Sequence, residues 1–134
     1  MAVTPHARAL QDLVGDVEVT GAYSPTQARR AGFAERFPFP TTGDLDGLLD
    51  DPSVDAVMIL TPPNTHGELV ARAAAAGKHV LVEKPLEVST DRAEALVAAA
   101  EAAGVTLAVV LQHRFRPAAE RLAALLAEGA LAAA

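Results

Sequence analysis

Three short apolar runs constrain the fold of this chain most: Val54–Leu60 (VDAVMIL), Lys78–Val82 (KHVLV) and Val105–Leu111 (VTLAVVL). Each has strand length and shows little polar alternation, as expected of parallel strands covered on both faces. After the first, Thr61-Pro62-Pro63-Asn64 breaks the run, and a helix is expected from about Thr65 to Ala76 with Gly77 as its C-cap. After the second, Ser89 or Thr90 is expected to cap a helix whose Ala93, Leu96, Val97 and Ala100 share a face, with Gly104 past its end. After the third, Pro117 opens a last helix that places Ala118, Leu122, Leu125 and Leu126 on one side. Strands alternating with helices of this kind indicate an α/β unit with a parallel sheet and right-handed crossovers.

The first third of the chain is less regular. Thr4–Leu13 reads as a short helix, Val17–Tyr23 (VEVTGAY) as a strand, and Pro25 to about Phe37 as a helix of poor periodicity. Pro38-Phe39-Pro40 forces an extended piece, at most a short strand, and Asp44–Asp50 reads as one short helix.

Composition excludes several classes. A net charge of −6 lacks the basic surface that nucleic-acid binding needs. With no cysteine there is neither a disulfide framework nor thiolate chemistry, and the four histidines show no metal-ligand spacing, so no metal is expected. No apolar run reaches the ~18 residues of a membrane span, and no leader pattern opens the chain. The expectation is a cytoplasmic protein without a membrane partner.

In a parallel sheet all strands end at one edge, where ligands bind. Tyr23-Ser24-Pro25-Thr26 follows the first strand, and Thr61-Pro62-Pro63-Asn64-Thr65-His66 the next clear one. Glu83-Lys84-Pro85 and Gln112-His113-Arg114-Phe115-Arg116 follow the last two. Hydroxyls, an amide, an imidazole, an ammonium and guanidiniums thus converge from distant segments. The Glu-Lys-Pro corner stands out, because a strand that delivers an acid and an amine to its end can present a catalytic side chain. A solvated lysine at a strand terminus is the plainer reading. Asn64 or Thr65 would likewise serve as an ordinary N-cap, although a helix N-terminus is also an anion site.

The segments Thr-Pro-Pro-Asn-Thr-His, Gly-Lys-His-Val-Leu-Val-Glu-Lys-Pro-Leu and Gln-His-Arg-Phe-Arg-Pro, in that order, resemble the nucleotide-binding half of the Gfo/Idh/MocA family. That family is named for glucose–fructose oxidoreductase, inositol dehydrogenase and rhizopine catabolism. The resemblance runs from His6 to about Leu131. It implies an NAD(P)-dependent oxidoreductase acting on the hydroxyl or carbonyl of a sugar, cyclitol or related polyol. Lys84 would be its catalytic lysine, removing or returning the hydroxyl proton and stabilising developing negative charge. Glu83 would accept from the nicotinamide ribose, or else hold the turn. Thr61, Pro62, Asn64 and His66 would lie along the ribose and pyrophosphate, and Gln112 and Arg114 would pass the nicotinamide side. Ser24 stands where NAD-preferring sites carry an acid, and Arg29-Arg30 follow it, which leans the cofactor from NAD towards NADP; two arginines on a solvated helix face are the plainer reading, and the preference stays open.

The fold so implied is α/β, a parallel-sheet Rossmann-like nucleotide-binding domain over residues 1–131 that lacks its first strand and glycine-rich turn. Residues 132–134 would begin a C-terminal substrate domain, through which full-length relatives would form homo-oligomers. In the strand order 3-2-1-4-5-6 the missing strand lies between Val17–Tyr23 and Val54–Leu60, so those two either pair directly or stand apart by about 9.6 Å. On this expectation the chain is a marginally stable fragment, inactive alone. The competing reading is a non-catalytic dinucleotide-sensing or partner-binding module.

Overall fold

The computed structural model describes residues 3–130. Residues 132–134, expected to open a further domain, lie outside that range. The order is α1 (Val3–Asp12), β1 (Ala22–Tyr23), α2 (Gln27–Ala34), β2 (Thr41–Thr42), α3 (Leu45–Asp50), β3 (Ala56–Ile59), α4 (His66–Ala75), β4 (His79–Glu83), α5 (Thr90–Ala103), β5 (Leu107–Val110) and α6 (Pro117–Ala127). Short 3₁₀ turns at Pro63–Thr65 and Gln112–Phe115 precede α4 and α6.

The alternation of strands and helices produces the parallel α/β architecture expected. β4 is central in a three-stranded sheet of order β3-β4-β5, with Ile59 beside Val82 and Val82 beside Val109. Both crossovers, α4 and α5, connect neighbouring strands and pack on each other, which puts them on one side of the sheet. The core therefore forms on that side. Ile59, Val80 and Val82 interlock with Val70, Ala73 and Leu96, and Val57, Leu107 and Val109 pack against them. Met58 and Leu81, the alternate positions, are only half-buried and Ala108 is exposed, so the strands are not equally covered on both faces. Gly77 and Gly104 close α4 and α5 with φ of 74° and 69°, the left-handed conformation their helix-ending role requires.

Three expectations change. The strand read over Val17–Tyr23 is a ladder only at Ala22–Tyr23, paired with Thr41–Thr42. The amides of Ala22 and Ser24 donate to Pro40 and Thr42 carbonyls at 2.8 and 3.1 Å, whereas no ladder partner among the described residues lies beside Val17–Gly21. Of the two outcomes weighed for β1 and β3, separation is the one observed. Among the described residues β1 pairs only with β2 and β3 only with β4, and an open cavity of about 390 Å³ lies between Val17 and Thr20 on one side and Val54 and Ala56 on the other.

On α5, Leu96 and Ala100 are buried as expected, but Val97 is exposed because the inward stripe is narrower than the full pattern. On α6, Leu122 and Leu126 are exposed and no residue is buried. That helix packs on the turn before it rather than on the sheet.

Candidate functional site

The carboxyl ends of β3, β4 and β5 bring Thr61, Glu83-Lys84 and Gln112 to one edge of the sheet, as parallel pairing requires. Lys84 is exposed there, one residue beyond β4, and its peptide bond to Pro85 is cis. Glu83, the last residue of β4, is half-buried. Its Oε1 accepts from His6 Nε2 at 2.8 Å, and its Oε2 accepts from the Lys84 backbone N–H at 3.0 Å. The His6 hydrogen bond holds the Glu83 carboxyl below the ordinary glutamate range; burial works against it, and the Lys84 amide adds to it. His6 belongs to α1, so this one contact pins the start of the chain across the end of the central strand.

His66 is fully buried. Its Nδ1 lies 3.0 Å from the Pro85 carbonyl and 3.2 Å from that of Leu86, and its Nε2 lies 2.9 Å from the Thr61 carbonyl. The ring's polar atoms are thus engaged by the chain itself. Thr61, Pro62 and Asn64 remain exposed, in the order the sequence places them. The Thr65 hydroxyl lies 2.7 Å from that of Thr61 and 2.8 Å from the Pro62 carbonyl, which fixes this turn locally.

The capping of α4 differs from expectation. Thr65 occupies the N-cap position, but its side chain makes no cap hydrogen bond. Against Gly67, in the first turn, lies instead the carboxylate of Glu87, whose side chain is buried, twenty residues on. Glu87 also accepts from the Val88 amide at 2.6 Å and from Arg92 at 2.7 Å. The Val88 amide lowers the Glu87 carboxyl most, burial opposes it, and Arg92 and the Gly67 amide add to the lowering. A Cβ on residue 67 would stand 2.9 Å from Glu87 Oε1, so only glycine lets the carboxylate approach. Glu87 was missed from sequence. The available signal was Gly67 itself, a poor helix former in a first turn, which marks a close approach.

In the β1–β2 pair, Ser24 follows β1 and is half-buried. Arg30 Nη1 donates to the Ser24 carbonyl at 2.5 Å, and its guanidinium lies over Gly43. Arg29 is exposed. Of the two arginines, only Arg30 is therefore brought to Ser24. Gln112 and Arg114 sit exposed in the 3₁₀ turn beyond β5, with Arg114 5.6 Å over the Phe115 ring. Among the described contacts neither reaches Lys84 or Glu83. Among the described residues, no three His, Cys, Asp or Glu side chains gather closely enough to hold a metal, and no helix is long and apolar enough to cross a membrane.

Residues 1–111 match GFO_IDH_MocA, an oxidoreductase family with an NAD-binding Rossmann fold. The chain is 41% identical over 111 residues to the D-xylose 1-dehydrogenase (NADP(+)) 2 of Haloferax volcanii, covering 82% of this chain and 34% of that protein. It is 42% identical over 71 residues to the scyllo-inositol 2-dehydrogenase (NAD(+)) of Bacillus subtilis, covering 53% and 21% respectively. Among solved structures, the 3-ketoreductase KijD10 of Actinomadura kijaniata, in complex with NADP and TDP-benzene, superposes with a TM-score of 0.73 at 38% identity over 84% of this chain and 34% of that one. The chain thus spans about a third or less of the length of these relatives.

Proposed function

Since the chain belongs to the Gfo/Idh/MocA oxidoreductase family, we propose that its residues 1–131 form the dinucleotide-binding domain of a cytoplasmic NAD(P)-dependent enzyme that oxidises a hydroxyl, or reduces a carbonyl, of a sugar, cyclitol or related polyol. The observation that carries this reading is Lys84. It stands exposed at the carboxyl end of the most buried strand, on a corner whose neighbours are all fixed by hydrogen bonds.

The residues present fit a dinucleotide. Thr61, Pro62, Asn64 and Lys84 are exposed along one edge. When bound, the nicotinamide supplies or accepts the hydride. Lys84 then gives a proton to, or takes one from, the substrate oxygen, and its positive charge steadies the oxyanion that develops there. Glu83, already oriented by His6, would accept from the nicotinamide ribose. Thr61, Pro62 and Asn64 would hold the ribose and pyrophosphate, and Gln112 and Arg114 the nicotinamide end. His66 supports this edge from beneath. On the adenosine side a serine replaces the usual acid, and Arg30 uses one of its five N–H groups on the Ser24 carbonyl. The remaining donors suit a 2′-phosphate, which favours NADP over NAD.

Titrating the chain with NADPH and NADH, by nicotinamide fluorescence or calorimetry, tests the binding. Saturable binding with NADPH the tighter is expected, and no saturation with either up to about millimolar concentration removes the proposal. D-Xylose and scyllo-inositol, named for two relatives, are the first substrates to try. Lys84→Ala should then cut turnover by about 10²–10⁴-fold while leaving cofactor affinity within a few-fold. Tight binding without turnover on any polyol fits a dinucleotide-binding domain that is inactive alone and a dinucleotide-sensing module equally.

A further inference from the structure

We propose that His66 is a positioning residue for Lys84, donating from both ring nitrogens so that one buried side chain ties the end of β3 to the corner after β4. This rests on the reading of Lys84 as the proton carrier. All three partners of the ring are carbonyl oxygens: Thr61 at 2.9 Å from Nε2, and Pro85 and Leu86 at 3.0 and 3.2 Å from Nδ1. Carbonyls only accept. A ring carrying one N–H would leave a nitrogen lone pair facing carbonyl lone pairs in a fully buried site. A ring carrying two satisfies both sides.

The local charges fall on both sides of the balance. His66 is the first residue of α4, and the positive pole of that helix opposes a doubly protonated ring. Three carbonyl dipoles aimed at the N–H groups offset this. So does the buried Glu87 carboxylate beside Gly67, itself paired with Arg92.

The position of the ring explains what the contact does. The β3–β4 ladder ends at the pair Ile59–Val82. Beyond it Thr61 and Pro85 are no longer paired by backbone hydrogen bonds, and the His66 ring takes over their connection. Lys84 lies between these two ties, with the β4–β5 ladder reaching Glu83 on one flank and the His66-held Pro85 carbonyl on the other. The lysine's backbone is fixed on both flanks while its side chain stays exposed.

The test uses the full chain and needs no turnover. With ¹⁵N-labelled histidine, long-range ¹H–¹⁵N spectra at neutral pH should show both His66 nitrogens protonated, with slowly exchanging protons. His66→Gln identifies the signals by their loss. One bare His66 nitrogen overturns the two-sided donor. The Lys84 backbone amide, which donates to Glu83, is the reporter of the corner. Its ¹H–¹⁵N signal should shift and its exchange quicken by about tenfold or more in His66→Leu, and by less in His66→Gln, which keeps one donor side. The Val80 amide, which donates to the Thr106 carbonyl within the sheet, should not change. A folded His66→Gln with the Lys84 amide unchanged overturns the positioning role, including where His66→Leu fails to fold. Loss of activity in Lys84→Ala is a separate measurement, so the two ideas can fail independently.

Discussion

Residues 3–43 and residues 44–110 use similar alanine-rich helices and short strands, yet they bury themselves very differently. In the first region Ala7 and Phe37 are the buried apolar residues; in the second they include Leu49, Ile59, Val70, Val80, Val82 and Leu96. The strands of the first are two residues long and pair once. Those of the second are four or five residues long, and β4 pairs on both edges. The first region is held by a small aromatic group instead, with Phe33 and Phe37 ring centroids 5.0 Å apart and Phe39 6.4 Å from Phe33. The difference teaches that a strand-like sequence becomes a strand only where a neighbour completes its ladder. It also divides the proposed labour. Lys84, Glu83 and His66 stand on the well-buried region, while Ser24 and Arg30, which bear on cofactor choice, stand on the thin one.

The largest expected effect is in amide exchange. Amides of Val80 and Val82 should be protected at least about 100-fold more than those of Ala22 and Tyr23, and equal protection would break the comparison. Next, Val82→Ala should cost about 2 kcal/mol in denaturant unfolding, because a fully buried side chain in the central strand is lost. A cost below about 0.5 kcal/mol would mean that the second region does not carry the stability.

A smaller effect concerns the contact that joins the regions. The Glu83 carboxyl is lowered from its ordinary 4.5, chiefly by His6, so its contribution is fully present above that value. It is lost as pH falls through the depressed folded value. His6→Ala should therefore flatten the loss of stability below pH 4.5, and an unchanged acid profile would show that the regions are not coupled through this pair. The smallest effect on the fold should come from Arg30→Ala, within about 1 kcal/mol of the parent. That variant should nonetheless reduce the NADPH-over-NADH preference by about tenfold, the worth of one charge-assisted hydrogen bond. An unchanged preference would remove Arg30 from cofactor selection.

Much of the second region was legible in the chain. The runs at Val54, Lys78 and Val105 yield β3, β4 and β5 within two residues at each end, and the helices between them follow. The Glu-Lys-Pro corner was located at its strand end for the same reason. Less was legible where partners are distant or missing. Val17–Gly21 has the residues of a strand but no ladder beside it, and the apolar side of α6 has the spacing of a packed face but no sheet beneath it. At the edge, Asn64 and Thr65 had the chemistry of a cap, yet Thr65 makes no cap hydrogen bond and the Glu87 carboxylate lies against the first turn, where Gly67 leaves room for it.

The sequence by itself determined the period of each segment and the order in which polar groups arrive at the sheet edge. Both are local properties, set by side-chain alternation and by breakers such as Pro62 and Pro85. Only the tertiary structure decided what those groups touch. His6 meets Glu83 across 77 residues, and His66 meets Pro85 and Leu86 across 19 and 20. Such contacts exist only after the strands have paired and the crossovers have folded back. A histidine that reads as a ligand for something outside can therefore end with both nitrogens turned inward, because burial leaves its polar atoms only the carbonyls that closure has brought beside them.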